Sequence, residues 1–202
     1  MKRVQYISFI ASILVVLCYL VFAILAFIQY PLPYSPINNW LSDLGNVKLN
    51  PHGAIFYNIG IISTALLLIL FFLGLSRWKI ENKRVQILMV LLTQAFGILG
   101  CICMIMSAIF PINFLEVHSF WSASLYIMLS TAFAFSVAAL RYHPKVPRWL
   151  LVLGLSTTLM VILTSFLTTV FILEWITVSL FLSYVCLIGV ETKRRESMRH
   201  IN

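Results

Sequence analysis

The chain has 202 residues, of which 61% are hydrophobic and only 10% are charged, and its mean hydropathy is +1.00. So few charged side chains could not cover the surface of a water-soluble domain of this size, and the apolar share exceeds the usual half. The composition therefore excludes an ordinary soluble domain and indicates an integral membrane protein.

Six stretches of the chain lack Asp, Glu, Lys and Arg, and five of them reach the length of about 20 residues that a transmembrane helix needs. The sixth is shorter, and we expect it to continue by one turn. Their approximate ranges are 7–29, 53–75, 86–110, 119–140, 149–173 and 175–190. The sequence therefore predicts an all-α polytopic membrane protein with residues 1–202 in a single six-helix domain, and a tight turn around Leu173 and Glu174.

The basic residues fall mainly in alternate connections between the predicted spans. Lys and Arg are concentrated in cytoplasmic loops of membrane proteins. If the N-terminus is cytoplasmic, 13 of the 14 basic residues lie inside and only Lys48 lies outside. We therefore expect both termini in the cytoplasm, and we attribute the net charge of +8 to topology and to a rim that suits anionic headgroups, with no nucleic-acid partner.

The connection between the first two spans has the pattern of a short amphipathic outer helix. Ser35 and Pro36 are typical of a helix start and Gly45 of a stop, so we expect a helix over about 36–44. Apolar residues recur on one face at Ile37, Trp40, Leu41 and Leu44. We expect this face to lie in the headgroup boundary or on the bundle, with Asp43 on the polar side.

Polar side chains that could carry chemistry cluster at the predicted outer ends of the spans. His52 and His118 supply imidazole side chains, the residue type most often used for acid–base chemistry, and Asp43 or Glu116 could orient a histidine or share a metal with it. We take Asp43, His118 and His52 as the candidate catalytic residues. The alternative stays open that these groups lie at helix ends because water solvates them there and because Glu116 complements a helix dipole.

No cofactor is firmly implied by the sequence, and a divalent metal remains an open alternative. The chain lacks an HExxH or CxxC spacing within one element, so a metal site would have to combine separate elements. The candidate ligands are Asp43, His52, Glu116 and His118. A serine nucleophile is not expected, because there is no GxSxG motif and no histidine inside a predicted span.

Four segments carry a resemblance to a known family: YSPINNWLSDLGN, NPHGAIFYNIGI, CMIMSAIFPI and EVHSFWSASLY. They resemble an uncharacterised prokaryotic six-helix membrane family, a domain of unknown function distantly similar to the DRAM/Sfk and GPI-anchor lipid-remodelling membrane proteins. The resemblance implies six helices with both termini cytoplasmic, a prokaryotic plasma membrane and a role in lipid homeostasis. If the family has a site, Asp43 and His118 are the residues that transfer.

Three functions are compatible with these features. The first is a non-enzymatic protein that binds membrane lipids or another membrane protein through the outer helix and a groove between spans. The alternative is a lipid hydrolase or transferase in which His118 is the base, Asp43 orients it or helps to hold a metal, and His52 assists. A weaker alternative is a transporter of a small solute or lipid, although the spans contain no Asp, Glu, Lys or Arg for ion coupling.

Overall fold

The computed structural model describes residues 6–143, 145–167 and 170–199. Six α-helices are present in these ranges, and each is long and apolar enough to cross a membrane. They are α1 (Ile7–Ile28), α2 (Ala54–Gly74), α3 (Arg84–Ile109), α4 (Leu115–Leu140), α5 (Arg148–Phe166) and α6 (Phe171–Arg199). The prediction of an all-α six-helix membrane protein is confirmed.

The helices close into a ring. Each packs mainly against its neighbours in the chain, and α6 also packs against α1. Large apolar side chains such as Phe71, Phe133 and Tyr184 fill the interior, while Leu17 and Leu159 point outward and are more than half exposed. Apolar residues on both faces are typical of helices surrounded by lipid, where outward-facing leucines do not meet water.

One end of the ring, the basic end, carries the connection 75–83 and, from the connection between α4 and α5, residues 141–143 and 145–147. The indole of Trp78 donates a hydrogen bond to Thr192 Oγ1 of α6 at 2.8 Å, and Gln86 Nε2 of α3 donates to the Trp78 carbonyl at 2.8 Å. His143 Nε2 lies 2.9 Å from the same carbonyl. These buried polar groups are hydrogen-bonded to one another, and their bonds hold α3, α6 and both connections together. Breaking them would leave buried polar groups unpaired, which costs free energy of folding.

The opposite end, the long-loop end, carries residues 29–53, and the short outer helix predicted over about 36–44 is present there only as a shorter 3₁₀-helix. Residues 36–38 form a turn, and a short 3₁₀-helix runs over Leu41–Gly45. Trp40 is extended, with φ −64° and ψ 146°, so the chain cannot be helical through this residue.

Side chains compete with the helical backbone in this segment. Asn39 Oδ1 accepts a hydrogen bond from the Ser35 amide at 3.0 Å. Asp43 Oδ2 accepts instead from the Trp40 amide at 3.0 Å, which starts the 3₁₀-helix at that point. Short polar side chains commonly favour turns over helix in this way. The predicted apolar face also divides, because Leu41 and Leu44 are buried while Ile37 is 75% exposed.

The predicted turn around Leu173 and Glu174 is also displaced. Helix α5 ends at Phe166 and α6 begins at Phe171, so Glu174 lies in the first turn of α6. Its carboxyl is partly buried and accepts a hydrogen bond from the Leu41 amide at 2.7 Å. Glu174 therefore need not lie in a water-exposed turn, because the free amides at the start of the 3₁₀-helix satisfy its carboxyl.

Candidate functional site

Two adjoining cavities lie at the long-loop end. The first, of about 110 Å³, is enclosed by the ring and has side chains from all six helices on its wall. The second, of about 290 Å³, is lined by α4, the end of α5 and the 3₁₀-helix, and reaches exposed residues such as Ser119 and Ala123 of α4. We call the two together the long-loop cavity, because they share Ser42, Ile112, His118, Ser122, Tyr126 and Glu174.

The wall of the long-loop cavity is polar towards the loops and apolar towards the middle of the helices. Six apolar side chains lie on the deeper part of the wall, namely Ile61, Met104, Leu129, Val161, Phe181 and Leu182. Thr64 is fully buried there, and among the residues that the structure describes its hydroxyl has no hydrogen-bond partner. The cavity is therefore amphipathic along the direction in which the helices run.

His118 is held in one orientation by backbone groups of the neighbouring helix end. Its Nδ1 lies 3.0 Å from the Ser107 carbonyl and 2.9 Å from the Phe110 carbonyl. Carbonyl oxygens only accept hydrogen bonds, so Nδ1 carries a proton, and in the neutral form of the ring the lone pair is then at Nε2. Nε2 faces the hydroxyl of Ser122 at 3.2 Å.

Glu174 lies on the cavity wall with one of its oxygens engaged. Oε2 accepts the Leu41 amide at 2.7 Å and the Ser42 amide at 3.4 Å. Within the described part of the chain, Oε1 has no hydrogen bond, so it remains able to accept one from a molecule in the cavity. Together with the Trp40 amide bound by Asp43, three consecutive backbone amides point at two carboxyl groups.

Asp43 does not line the long-loop cavity, and the structure does not bring it into contact with His118. Its carboxyl stays on its own 3₁₀-helix at the Trp40 amide. Over the described ranges, no hydrogen bond or ion pair joins Asp43 to His118. Burial raises the pKa of Asp43 above its ordinary value, although the hydrogen bonds from Trp40 and Asn39 act in the opposite direction.

The remaining two candidates lie apart from the cavity. His52 is exposed in the turn at 51–53, just before α2, and Glu116 is exposed in the first turn of α4. Neither is on the cavity wall. Among residues 6–143, 145–167 and 170–199, no group of three or more His, Cys, Asp and Glu side chains is placed to hold a metal ion. Of the four candidate ligands, only His118 faces the cavity.

Ser122 and Tyr126 are polar wall residues that the sequence-based predictions of a site did not include. Both follow His118 at intervals of four residues, so the three side chains share one face of α4. The prediction against a serine nucleophile placed His118 outside the fourth span. The structure starts α4 at Leu115, and His118 lies one turn inside the helix. The spacing of four residues was the signal that could have found the pair.

Comparison with known proteins gives a family but no characterised relative. Residues 13–191, which are most of the chain, match the family described as "Protein of unknown function (DUF998)". The chain therefore belongs to this uncharacterised family. No curated protein and no solved structure matches the chain.

Proposed function

We propose that this member of the DUF998 family binds a membrane lipid in the long-loop cavity. The observation that supports the proposal is the division of the cavity wall, with His118, Ser122 and Glu174 at the loop side and apolar side chains deeper in the ring. Binding sites for small molecules are typically apolar concavities with a few polar groups that fix orientation. A lipid would place its polar head at the loops and an acyl chain along the apolar wall.

The second part of the cavity gives such a molecule a lateral route. It lies between α4 and the end of α5, and Ala123 and Ser119 on its border are exposed on the outer face of the ring. A lipid in the surrounding leaflet can enter there without crossing water. A small polar solute would bind less favourably than a lipid, because the deeper wall offers mostly apolar contacts.

The free Oε1 of Glu174 indicates the chemistry of the head. It can accept a hydrogen bond from an ammonium or hydroxyl group, and Ser42 lies beside it on the shared wall. Lipid heads that carry such donors are therefore the proposed ligands. We extend this proposal to a role in membrane lipid homeostasis.

We also propose that the long-loop end faces outward from a prokaryotic plasma membrane, with both termini cytoplasmic. The support is that Lys48 is isolated at the long-loop end, whereas Arg77, Arg141 and Arg194 lie near the basic end. Single cysteines are introduced at positions 48 and 79 of a variant without native cysteines, and whole cells are treated with an impermeant maleimide. We expect position 48 to be labelled and position 79 to be protected. Labelling at 79 alone, with 48 protected, would reverse the proposed orientation.

A matched pair of alanines on α4 tests lipid binding. Ala123 borders the opening. Ala134 is also exposed and lies on nearly the same helix face, but it is three turns closer to the basic end and away from the cavity. We expect Ala123→Trp to reduce the lipid that copurifies from detergent by about tenfold, the equivalent of about 1.4 kcal/mol, while Ala134→Trp retains it. Quantitative mass spectrometry of extracted lipid gives the measurement.

The same pair also defines the result that would refute lipid binding in the cavity. Equal lipid retention by wild type, Ala123→Trp and Ala134→Trp, with all three monodisperse, would refute the cavity as a lipid site. A catalytic function is the second candidate, and the hydrogen bond between Ser122 and His118 favours it. The predicted pairing of His118 with Asp43 lacks comparable support, because Asp43 is engaged on the 3₁₀-helix.

A further inference from the structure

We propose that Ser122 and His118 form a nucleophile and base pair that cleaves an acyl ester of the lipid held in the long-loop cavity. The inference rests on the proposed lipid binding and adds a reaction to it. Both side chains line both parts of the cavity, so an ester group at the boundary between polar and apolar wall would lie next to them.

The hydroxyl of Ser122 departs from the usual behaviour of helical hydroxyls in this bundle. Those of Thr93, Thr131 and Thr157 each donate to the carbonyl four residues earlier in their own helix. Ser122 instead makes its hydrogen bond with the side chain four residues earlier, His118 Nε2, at 3.2 Å. Its oxygen is therefore polarised by a base and remains exposed to the cavity.

His118 has the tautomer that a general base requires. The Ser107 and Phe110 carbonyls hold the proton on Nδ1, so that Nε2 can accept the proton of the Ser122 hydroxyl. In serine hydrolases a third group fixes the histidine in the same way. Here two backbone carbonyls provide the orientation, and they also supply partial negative charge beside the imidazolium that would form.

The reaction follows from these positions. Ser122 Oγ attacks the ester carbonyl carbon and forms a carbon–oxygen bond, the carbonyl electron pair moves to the oxygen, and His118 Nε2 takes the hydroxyl proton. When the carbonyl re-forms, the bond to the lipid alcohol breaks, and Nε2–H protonates the leaving oxygen. Water then attacks the acyl-Ser122 ester, with His118 again as base, and releases the fatty acid while Ser122 regains its proton.

Tyr126 is placed to stabilise the charged intermediate. It lies one helical turn beyond Ser122 on the same face of α4 and lines both parts of the cavity. Its hydroxyl has no hydrogen bond to any other described residue, so it can donate to the oxygen on which negative charge develops. We therefore assign the Tyr126 hydroxyl the role of hydrogen-bond donor to the oxyanion.

An alkyl fluorophosphonate tests the nucleophile, because it phosphonylates an activated serine much faster than an ordinary hydroxyl. Purified protein in lipid nanodiscs is treated with a long-chain fluorophosphonate, and the modified peptide is identified by mass spectrometry. We expect modification of Ser122 in the wild type and its loss in Ser122→Ala. His118→Asn keeps a donor for the carbonyls but removes the base, and we expect labelling to slow by about 100-fold or more. The matched control is Thr131→Ala, which removes a hydroxyl from α4 away from the cavity.

Each result has a defined meaning. Labelling at Ser122 that needs His118, remains in Thr131→Ala and accompanies release of fatty acid from nanodisc phospholipid supports the reaction. If the wild type is not labelled, but Ala123→Trp loses lipid while wild type and Ala134→Trp retain it, the reaction is overturned and lipid binding stands. Labelling that persists in Ser122→Ala assigns the activated residue elsewhere and equally overturns it.

Discussion

Replacing Asn50 by aspartate removes two buried hydrogen-bond donors without changing the size of the side chain. Asn50 is fully buried between the end of α1, the 3₁₀-helix and the start of α2. Its Nδ2 donates to the Ala26 carbonyl at 3.0 Å and to the Leu44 carbonyl at 2.9 Å, and its Oδ1 accepts from the Gly53 amide at 3.1 Å. One side chain therefore joins three segments at the long-loop end.

The magnitude follows from what remains after the substitution. The carbonyls of Ala26 and Leu44 each lose a donor, and a buried unsatisfied group costs about 1–3 kcal/mol. The Asn50→Asp variant should therefore unfold with a free energy about 2–6 kcal/mol lower than wild type, and repulsion between an ionised carboxylate and the two carbonyl oxygens acts in the same direction. That is a large part of the 5–15 kcal/mol that stabilises a typical domain.

Reversible unfolding in mixed micelles, followed by tryptophan fluorescence, measures this difference. Asn38→Asp is the matched control, because Asn38 is exposed on the same connection and undergoes the same chemical change. We expect the control to stay within about 0.5 kcal/mol of wild type. If Asn50→Asp also remained within that range, the inferred role of Asn50 as a bridge of three segments would be wrong.

Three further predictions concern other parts of the molecule. Burial raises the pKa of Asp43, so the folded chain binds the Asp43 proton more tightly than the unfolded chain does. The unfolding free energy of the protein should therefore fall as the pH rises from about 4 through the folded-state pKa of Asp43. The Asp43→Asn variant should lack this pH dependence. Gly154→Ala should cost about 1–3 kcal/mol in micelle unfolding, because the new Cβ would lie 2.5 Å from Val137 Cγ2, and wild-type stability would contradict this packing. Tyr184→Phe should cost about 1 kcal/mol by removing the 2.7 Å hydrogen bond to Ser136, and should cost less in a Ser136→Ala background.

The candidate site was only partly predictable from the sequence. His118 was found because histidines at the ends of spans are few and chemically distinctive. Its partner Ser122 was missed because the predicted span began at Ser119, one residue after His118, whereas α4 begins at Leu115. The contact between Glu174 and Leu41 joins residues 133 positions apart, and no local pattern encodes such a separation.

The sequence by itself determined that this is a membrane protein with six helices. Each span must satisfy its own backbone hydrogen bonds in lipid, so length and apolar composition specify it locally. Only the tertiary structure decided that the helices close into a ring with an amphipathic cavity, that residues 36–44 are not an α-helix, and that Ser122 rather than Asp43 faces His118. These features depend on contacts between distant segments, where side-chain hydrogen bonds outweigh the local helical pattern.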